Sequence, residues 1–489
     1  MAYVSAKTTV LYVTEESTQG VAVDPTLGNQ AVSILSDGFE LNGEKELVER
    51  TNLTSSIAKA LPRVGIKTAS GSVGVEAKAN IVAGGAPEAD LLFKAAFGGK
   101  VSLTNTVATG TGNTTNSIKV DGSAALTAGN IVMLKDTNIG YHLTPITAVT
   151  TGTVATLTVT GSVGVIVINA KYAGVAGNSI TFAMTTGAVA GSEVVTVVGT
   201  DIEVQIASGT STAAQIKAKV DASVAAMALI APVTITTAGV MESAAEAPLA
   251  TGADQVATML VPSSLAPANG AVIEKFTQYF GANSGHPSLT LTSYHENAIK
   301  IQAAGIKVAS LSLDSFETGQ IPSFSFGLQG QSYEESLAAS SLTATFDGAT
   351  PPLVLAACVY KDGVQIPVNA VSLSMENTLA RVTSTCSENG IIALRESERT
   401  LSGSMTPYMD TTSVSLFNNF NENTQFSLFL HMQNPITNGK KEVIALYLPN
   451  CIITALPKAD QDGLLTYALE FSAGPSSDGS GSDIYLSFI

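Results

Sequence analysis

The chain has 489 residues, 45% apolar and 13% charged, with 24 Lys plus Arg against 40 Asp plus Glu and a formal net charge of −16. At about 100 to 200 residues per domain this allows roughly three or four folding units. The apolar fraction excludes wholesale disorder, and the acidic excess excludes a protein that grips a nucleic-acid backbone across a basic face.

Near the start, the apolar run Val10 to Val13 stops at Thr14 and Glu15, which is too short for a secretory leader and predicts no export. Composition changes between Lys100 and Asp254, where Thr, Gly, Ala and Val rise and charge thins, and this predicts an insertion. Its first part, residues 101–160, alternates apolar and polar residues in short runs such as Ser117 to Val120 and Asn130 to Leu134, and reads as a small β unit. The second part, residues 161–255, opens with Val165 to Ile168 and Ile180 to Phe182, two strands around a Gly-containing turn. Ile202, Val204 and Ile206 alternate strictly. Thr212 and Gln215 form a capping box before one amphipathic helix through Ile216, Val220, Val224 and Met227, and Thr234 to Thr237 closes a compact α+β module. Ala222 to Val233, the longest soft apolar stretch, is shorter than the roughly 18 to 20 residues that cross a bilayer, so no membrane span is expected.

The flanking segments echo one another in order. Lys67 to Ser72 (KTASGS) is matched by Arg399 to Ser404 (RTLSGS), and Leu92-Phe93 by Leu416-Phe417. Gly305 to Leu328 is matched more loosely by Asn450 to Phe471. In each, a strand turns at an acidic, Gly-containing bend into an alternating strand, Phe324-Phe326-Leu328 or Tyr467-Leu469-Phe471.

The run Gly305 to Leu313, then Glu317-Thr318-Gly319 and Ser323 to Gly330, resembles the closing hairpin of tail tube proteins of tailed bacteriophages, and Ala89 to Gly99 is similar to that family as well. The segment Ala170 to Leu229, with Gly177-Asn178-Ser179-Ile180 and Thr212 to Ile216, is similar to a module added to several phage tail proteins, sheaths included. The second copy departs from the pattern, since Asn450 replaces the Gly and Pro457 breaks the Leu-x-Leu alternation, which leaves its strand register open.

The resemblance implies a mainly β fold of barrel or sandwich tube domains, each with a flanking helix, plus the small inserted α+β module. The expected layout is a first tube domain from 1–100 and 256–340, the β unit at 101–160, the module at 161–255 on the outside of the tube, and a second tube domain at 341–489. The resemblance further implies a structural virion protein of a long-tailed, siphovirus-like phage, assembled in the host cytoplasm. Three chains would close a pseudo-hexameric ring, and stacked rings would form the conduit for DNA ejection. Its partners would be other copies of itself, a tape measure protein, a tail terminator and baseplate or tail tip proteins. DNA would pass through without specific binding; the net charge of −16 and the sparse Lys and Arg lead to the expectation of a neutral or acidic lumen, whose lining residues are not identified. The final strand, Asp483 to Ile489 after the linker Gly474 to Ser482, is expected to add to a neighbour's sheet. Rival readings are a tail sheath or decoration protein and, from a different class, an acidic surface-layer or adhesin protein.

No enzymatic constellation emerges, and no catalytic residue, metal ligand set or cofactor is assigned. His142, His286, His295 and His431 are scattered, and Cys358, Cys386 and Cys451 form neither a disulfide framework nor a Cys-x-x-Cys pair. Ser284-Gly285-His286 lacks a nucleophile elbow, and Gly98-Gly99-Lys100 is followed by Val101 where a phosphate loop needs Ser or Thr. Asp460-Gln461-Asp462-Gly463 and Asp478 to Asp483 lack the length and terminal Glu of an EF-hand, and read as a turn and a linker. Glu376, Glu396 and Glu398, with Glu46 and Glu49, read as exposed strand-end carboxylates.

Overall fold

A computed structural model describes residues 8–51, 61–120, 122, 126–355, 357–387, 390–409, 414–433, 442–461, 463–475 and 481–489. The fold is mainly β. It has two compact units, Met1–Thr104 with Lys275–Ile489, and Asn105–Glu274.

The strands of the first unit are β1 (Thr9–Glu15), β2 (Ala31–Val32), β3 (Phe39–Val48), β4 (Arg63–Glu76), β5 (Gly98–Leu103), β6 (Phe276–Gly281), β7 (Leu289–His295), β8 (Ile299–Glu317), β9 (Ser323–Gly330) and β10 (Ser332–Leu337). They continue with β11 (Cys358–Lys361), β12 (Val364–Ile366), β13 (Val368–Thr383), β14 (Ile391–Pro407), β15 (Phe426–Gln433), β16 (Val443–Ala455), β17 (Lys458–Gln461), β18 (Leu464–Tyr467), β19 (Leu469–Gly474) and β20 (Tyr485–Phe488). Its helices are α1 (Asp90–Phe97) and α2 (Val414–Glu422).

One order of antiparallel pairing occurs twice. Residues 9–337 pair β1 with β7, β7 with β8 and β8 with β10, and separately β3 with β4, β4 with β9 and β9 with β8. Residues 358–488 pair β11 with β15, β15 with β16 and β16 with β20, and separately β13 with β14, β14 with β19 and β19 with β16. The echoed glycines hold matching places: Gly71 lies opposite Leu41 and Leu328, and Gly403 opposite Leu373 and Phe471. Neither site has room for a side chain, because a Cβ on Gly71 would meet the Glu40 carbonyl oxygen at 2.1 Å and one on Gly403 the Phe471 ring at 2.4 Å.

The long strand β8 serves both sheets, and it does so by bending. Leu289 faces Ile306 but Leu291 faces Ala303, so an extra residue bulges out, and Gly305 takes a φ of +69° there. The Gly305 N–H, lost to the ladder, donates to Glu16 at 2.8 Å. Glu16 is buried and also accepts from Ser288 and Thr290 hydroxyls at 2.7 Å and from the Gly20 N–H at 2.8 Å. The second half carries the same bulge, since Phe426 faces Cys451 while Leu428 faces Leu448, so Asn450 in place of Gly leaves the register intact.

The halves join where the far end of β8 pairs with β13, from Ser310 opposite Glu376 to Glu317 opposite Ala370. The C-terminal strand β20 is a correction to the expectation that it adds to a neighbour. It is fully buried and paired on both sides within this chain, with β16 and with β6. Its apolar run Tyr485-Leu486 with Phe488 is worth more buried than at an exposed edge. Phe488 lies 5.2 Å from Phe93 of α1, whose ring also meets Tyr279 at 5.4 Å and Phe324 and Phe326 at 5.1 Å each. Helix α1 starts with Asp90 at its positive end and stops at Gly98, where φ is +82°. In α2 the echo is partial: Leu416 is buried like Leu92, but Phe417 is 52% exposed.

In the second unit, Val107–Ala108, Val272–Ile273, Ile131–Asp136, Gly140–Thr150, Gln255–Met259 and Ser117–Val120 form one sheet in that order. Val154–Thr160 pairs instead with Val165–Ala173, so strand pairing crosses the composition boundaries at 160 and 255. Thr181–Thr186 lies parallel to Asp201–Ile206, whose Ile202, Val204 and Ile206 are buried. The capping box forms, with Gln215 Oε1 accepting from the Thr212 N–H at 2.7 Å and Thr212 Oγ1 from the Gln215 N–H at 3.3 Å. The single helix expected here is two, Ala213–Ala222 and Val224–Leu229. Ser223 is extended between them and caps the second, accepting from the Ala226 N–H at 3.3 Å, which satisfies that helix's own N-terminus and exposes Val224.

Glu16→Ala strips acceptors from four donors at the β8 bend, and a loss of about 2 kcal/mol or more is expected from unsatisfied buried groups. Equilibrium urea unfolding checks this. A change within about 0.5 kcal/mol, as for an ordinary surface site, would show that the bend stands without it.

Candidate functional site

Strand alternation divides the eight-strand run β3-β4-β9-β8-β13-β14-β19-β16 into two unlike faces. One face is the core, with Val73, Phe326, Leu311, Leu373, Leu401, Leu469 and Ile453 buried. On the other face the central positions are small and polar: Ser70 and Ser72, Ser323 and Ser325, Ser310 and Ser312, Ser372 and Ser374, Ser402 and Ser404. The same face carries Glu40, Glu44, Asp314, Glu376 and Glu470, all exposed.

Across β8, β13, β14 and β19 this face is hollowed into a groove of about 410 Å³, lined by Ser312, Asp314, Ser372, Ser374, Ser402, Ser404, Thr454 and Glu470. Hydroxyls in and beside the groove bond to one another or to nearby acceptors in three places. Ser372 and Ser404 lie 2.8 Å apart, Ser312 donates to Asp314 at 2.9 Å, and Ser472 donates to the Leu401 carbonyl at 3.2 Å. Ser70 donates to Glu44 at 2.5 Å and Asn42 to Glu40 at 2.6 Å. Such a surface is polar and negatively charged, and the positions just named include no ammonium or guanidinium group to hold a phosphate.

The residues singled out for chemistry lie apart. His142 bonds to the Val261 carbonyl at 2.9 Å, and burial pushes its imidazole pKa below the ordinary value. His286 bridges the carbonyls of Ala95 and Ala282 at 2.8 and 3.1 Å, His295 bonds Thr9 at 2.9 Å, and His431 stacks on Tyr360 at 5.9 Å. Lys100, after Gly98-Gly99, pairs with Asp90 at 2.7 Å. Cys451 is buried, and desolvation pushes its thiol well above the ordinary value, away from the reactive thiolate. Among the described residues no three His, Cys, Asp or Glu side chains are grouped as for a metal ion.

Asp460 accepts from the Gly463 N–H at 3.0 Å in the β17–β18 turn, while Asp462 and Asp478 to Ser480 lie outside the described residues. Asp483, instead of belonging to an acidic loop, forms a two-point pair with Arg399 at 2.8 Å for each bond. Glu396 pairs with Lys307 at 3.2 Å. Sequence reasoning missed the polar face as a site. The signal was present in the Ser-x-Ser alternation of Ser310-Leu311-Ser312, Ser372-Leu373-Ser374 and Ser402-Gly403-Ser404.

A family model described as phage tail tube protein matches residues 5–473, nearly the whole chain. No curated protein matches the chain.

Proposed function

We propose that this chain, which belongs to the phage tail tube proteins, builds stacked rings that form the conduit for DNA ejection, with two tube domains per chain and three chains per ring. The twofold recurrence of the pairing order supports the two tube domains. The observation that carries the conduit reading is the division of the eight-strand sheet into an apolar face and a face of hydroxyls and carboxylates, and the polar face lines the lumen. Duplex DNA carries one negative charge per roughly 1.7 Å, so a basic bore would bind it through counterion release, whereas carboxylates spaced among small hydroxyls repel it and leave it mobile. The chain works mechanically and electrostatically rather than as an enzyme. Its partners in this reading are further copies of itself, a tape measure protein within the tube, and terminator and tip proteins at its ends, assembled in the host cytoplasm of a siphovirus-like phage.

Imaging of assembled tubes along their axis is expected to give three chains per ring, and six whole chains per ring would overturn the two-domain reading. The triple variant Asp314→Lys, Glu376→Lys, Glu470→Lys is expected to assemble and to retain DNA at low salt. Each phosphate neutralised by a new lysine would steepen the logarithmic salt dependence of retention by about 0.9. Equal DNA release by variant and unaltered tubes would remove this face from the lumen.

The second unit is proposed to be dispensable for the tube. Leu103 and Phe276 are direct cross-strand partners of β5 and β6, so residues 104–275 can be replaced by a two-residue Asn-Gly turn. Tubes are expected still to form from the shortened chain. Folded, soluble protein that no longer assembles would make the second unit part of the ring.

A further inference from the structure

We propose that one copy of this chain holds the next through a repeat of a contact already made inside the chain, so that β3 and Leu337 of one copy receive the Ala455–Gln461 edge and Phe417 of its neighbour. The proposal rests on the ring reading above and specifies the surfaces that close it. The internal contact has two components. Strand β8 lies along β13 with Ser310 opposite Glu376, Leu311 opposite Met375 and Leu313 opposite Leu373. Beside it, Phe93 of α1 packs on Phe488 of β20 at 5.2 Å. The first half of the chain thus offers β8 and α1, and the second half offers β13 and β20.

Each of these four elements has a counterpart, the three strands placed by register and the helix by the Leu-Phe echo. Ile306 opposite Leu289 corresponds to Cys451 opposite Phe426, and Leu313 opposite Phe324 to Lys458 opposite Tyr467, so β16 and β17 together stand for β8. Leu373 opposite Gly403 corresponds to Leu41 opposite Gly71, so β3 stands for β13. Ile444 opposite Phe488 corresponds to Ile299 opposite Leu337, which makes Leu337 the counterpart of Phe488. Phe417, following buried Leu416 as Phe93 follows buried Leu92, is the counterpart of Phe93.

Inside the chain this pair of rings is buried, yet Leu337 is 89% exposed and Phe417 52% exposed. Among the described residues β3 pairs with β4 alone, and β17 with β18 alone. Two apolar side chains and two strand edges are therefore left open at the places where the internal contact is closed. Superposing the register sets Ala455 opposite Glu44, Leu456 opposite Gly43 and Lys458 opposite Leu41 of the neighbour. Pro457 does not interrupt this edge. Its carbonyl accepts from the Ala468 N–H at 2.9 Å, so the side of the strand that lacks a donor faces its own hairpin. The two surfaces differ, so the contact is head to tail and generates a ring when its rotation closes.

The test uses full-length Leu337→Asp and Phe417→Asp, both at exposed positions, with thermal melting to confirm that each folds like the unaltered chain. Where the unaltered chain forms tubes, each variant alone is expected to stay monomeric by sedimentation. An equimolar mixture is expected to give dimers and nothing larger, because one variant retains the Phe417 surface and the other the Leu337 surface. Tubes from either variant at the unaltered concentration, or a mixture that stays monomeric, would overturn the proposal. Should an Asp variant melt lower, cross-linking of Glu44→Cys with Ala455→Cys in a Cys386→Ser background replaces it. Chain-to-chain bonds within tubes are expected there, and tubes with none, while Ser310→Cys with Glu376→Cys closes within the chain, would again overturn it. An unaltered chain that forms no tubes would instead defeat the ring reading, and it does so before any variant is made.

Discussion

The architecture of the first unit depends on a single long strand belonging to two sheets. Strand β8 can pair with β7 and β10 along its first part and with β9 and β13 along its second only if the ladder breaks between them. A break frees a backbone N–H in the protein interior, and an unsatisfied buried donor is costly. The Glu16 carboxylate removes that cost by accepting from Gly305, and glycine there permits the left-handed φ that the bulge requires. The apolar layer under α1 and the joint to β13 both follow from where β8 turns.

That turn also explains how one sheet presents two different surfaces. Beyond the bulge, β8 keeps strict alternation through Ser310, Leu311, Ser312 and Leu313, and its neighbours keep phase with it. Large apolar side chains on one face and serines on the other give a thick core beneath a shallow polar surface. The carboxylates stand among small hydroxyls, of which Ser312 and Ser70 donate to Asp314 and Glu44 and Ser372 bonds with Ser404.

The second unit is built on separate grounds. It buries its own apolar cluster around Phe182, Val204, Ile216 and Val220, and its helices carry their own caps. It enters and leaves the first unit between β5 and β6, which are directly paired, so the chain diverges and returns at one hairpin end. An insertion of this kind leaves the host's ladders unbroken, whatever its length.

Much of this was legible in the sequence because it is carried by local alternation and spacing. The Thr212 to Gln215 spacing announced a helix start, and the KTASGS and RTLSGS echo identified strands whose glycines occupy matching places. Ser-x-Ser runs contained the polar face as well, although period-two alternation names two faces without saying which is inside until neighbouring strands are known. What the chain alone could not decide was long-range. No pattern near Glu16 tells that its partner is the amide of Gly305, nothing in Ser480 to Asp483 announces Arg399, and the buried place of β20 depends on edges contributed by β6 and β16, far away in sequence. Phe93 and Phe417 make the same point, since similar local sequences are buried in one case and exposed in the other, according to whether another strand of the same chain arrives to cover them. Local sequence sets periodicity, caps and turns; burial and pairing partners are properties of the assembled surfaces, and only the tertiary structure decided them.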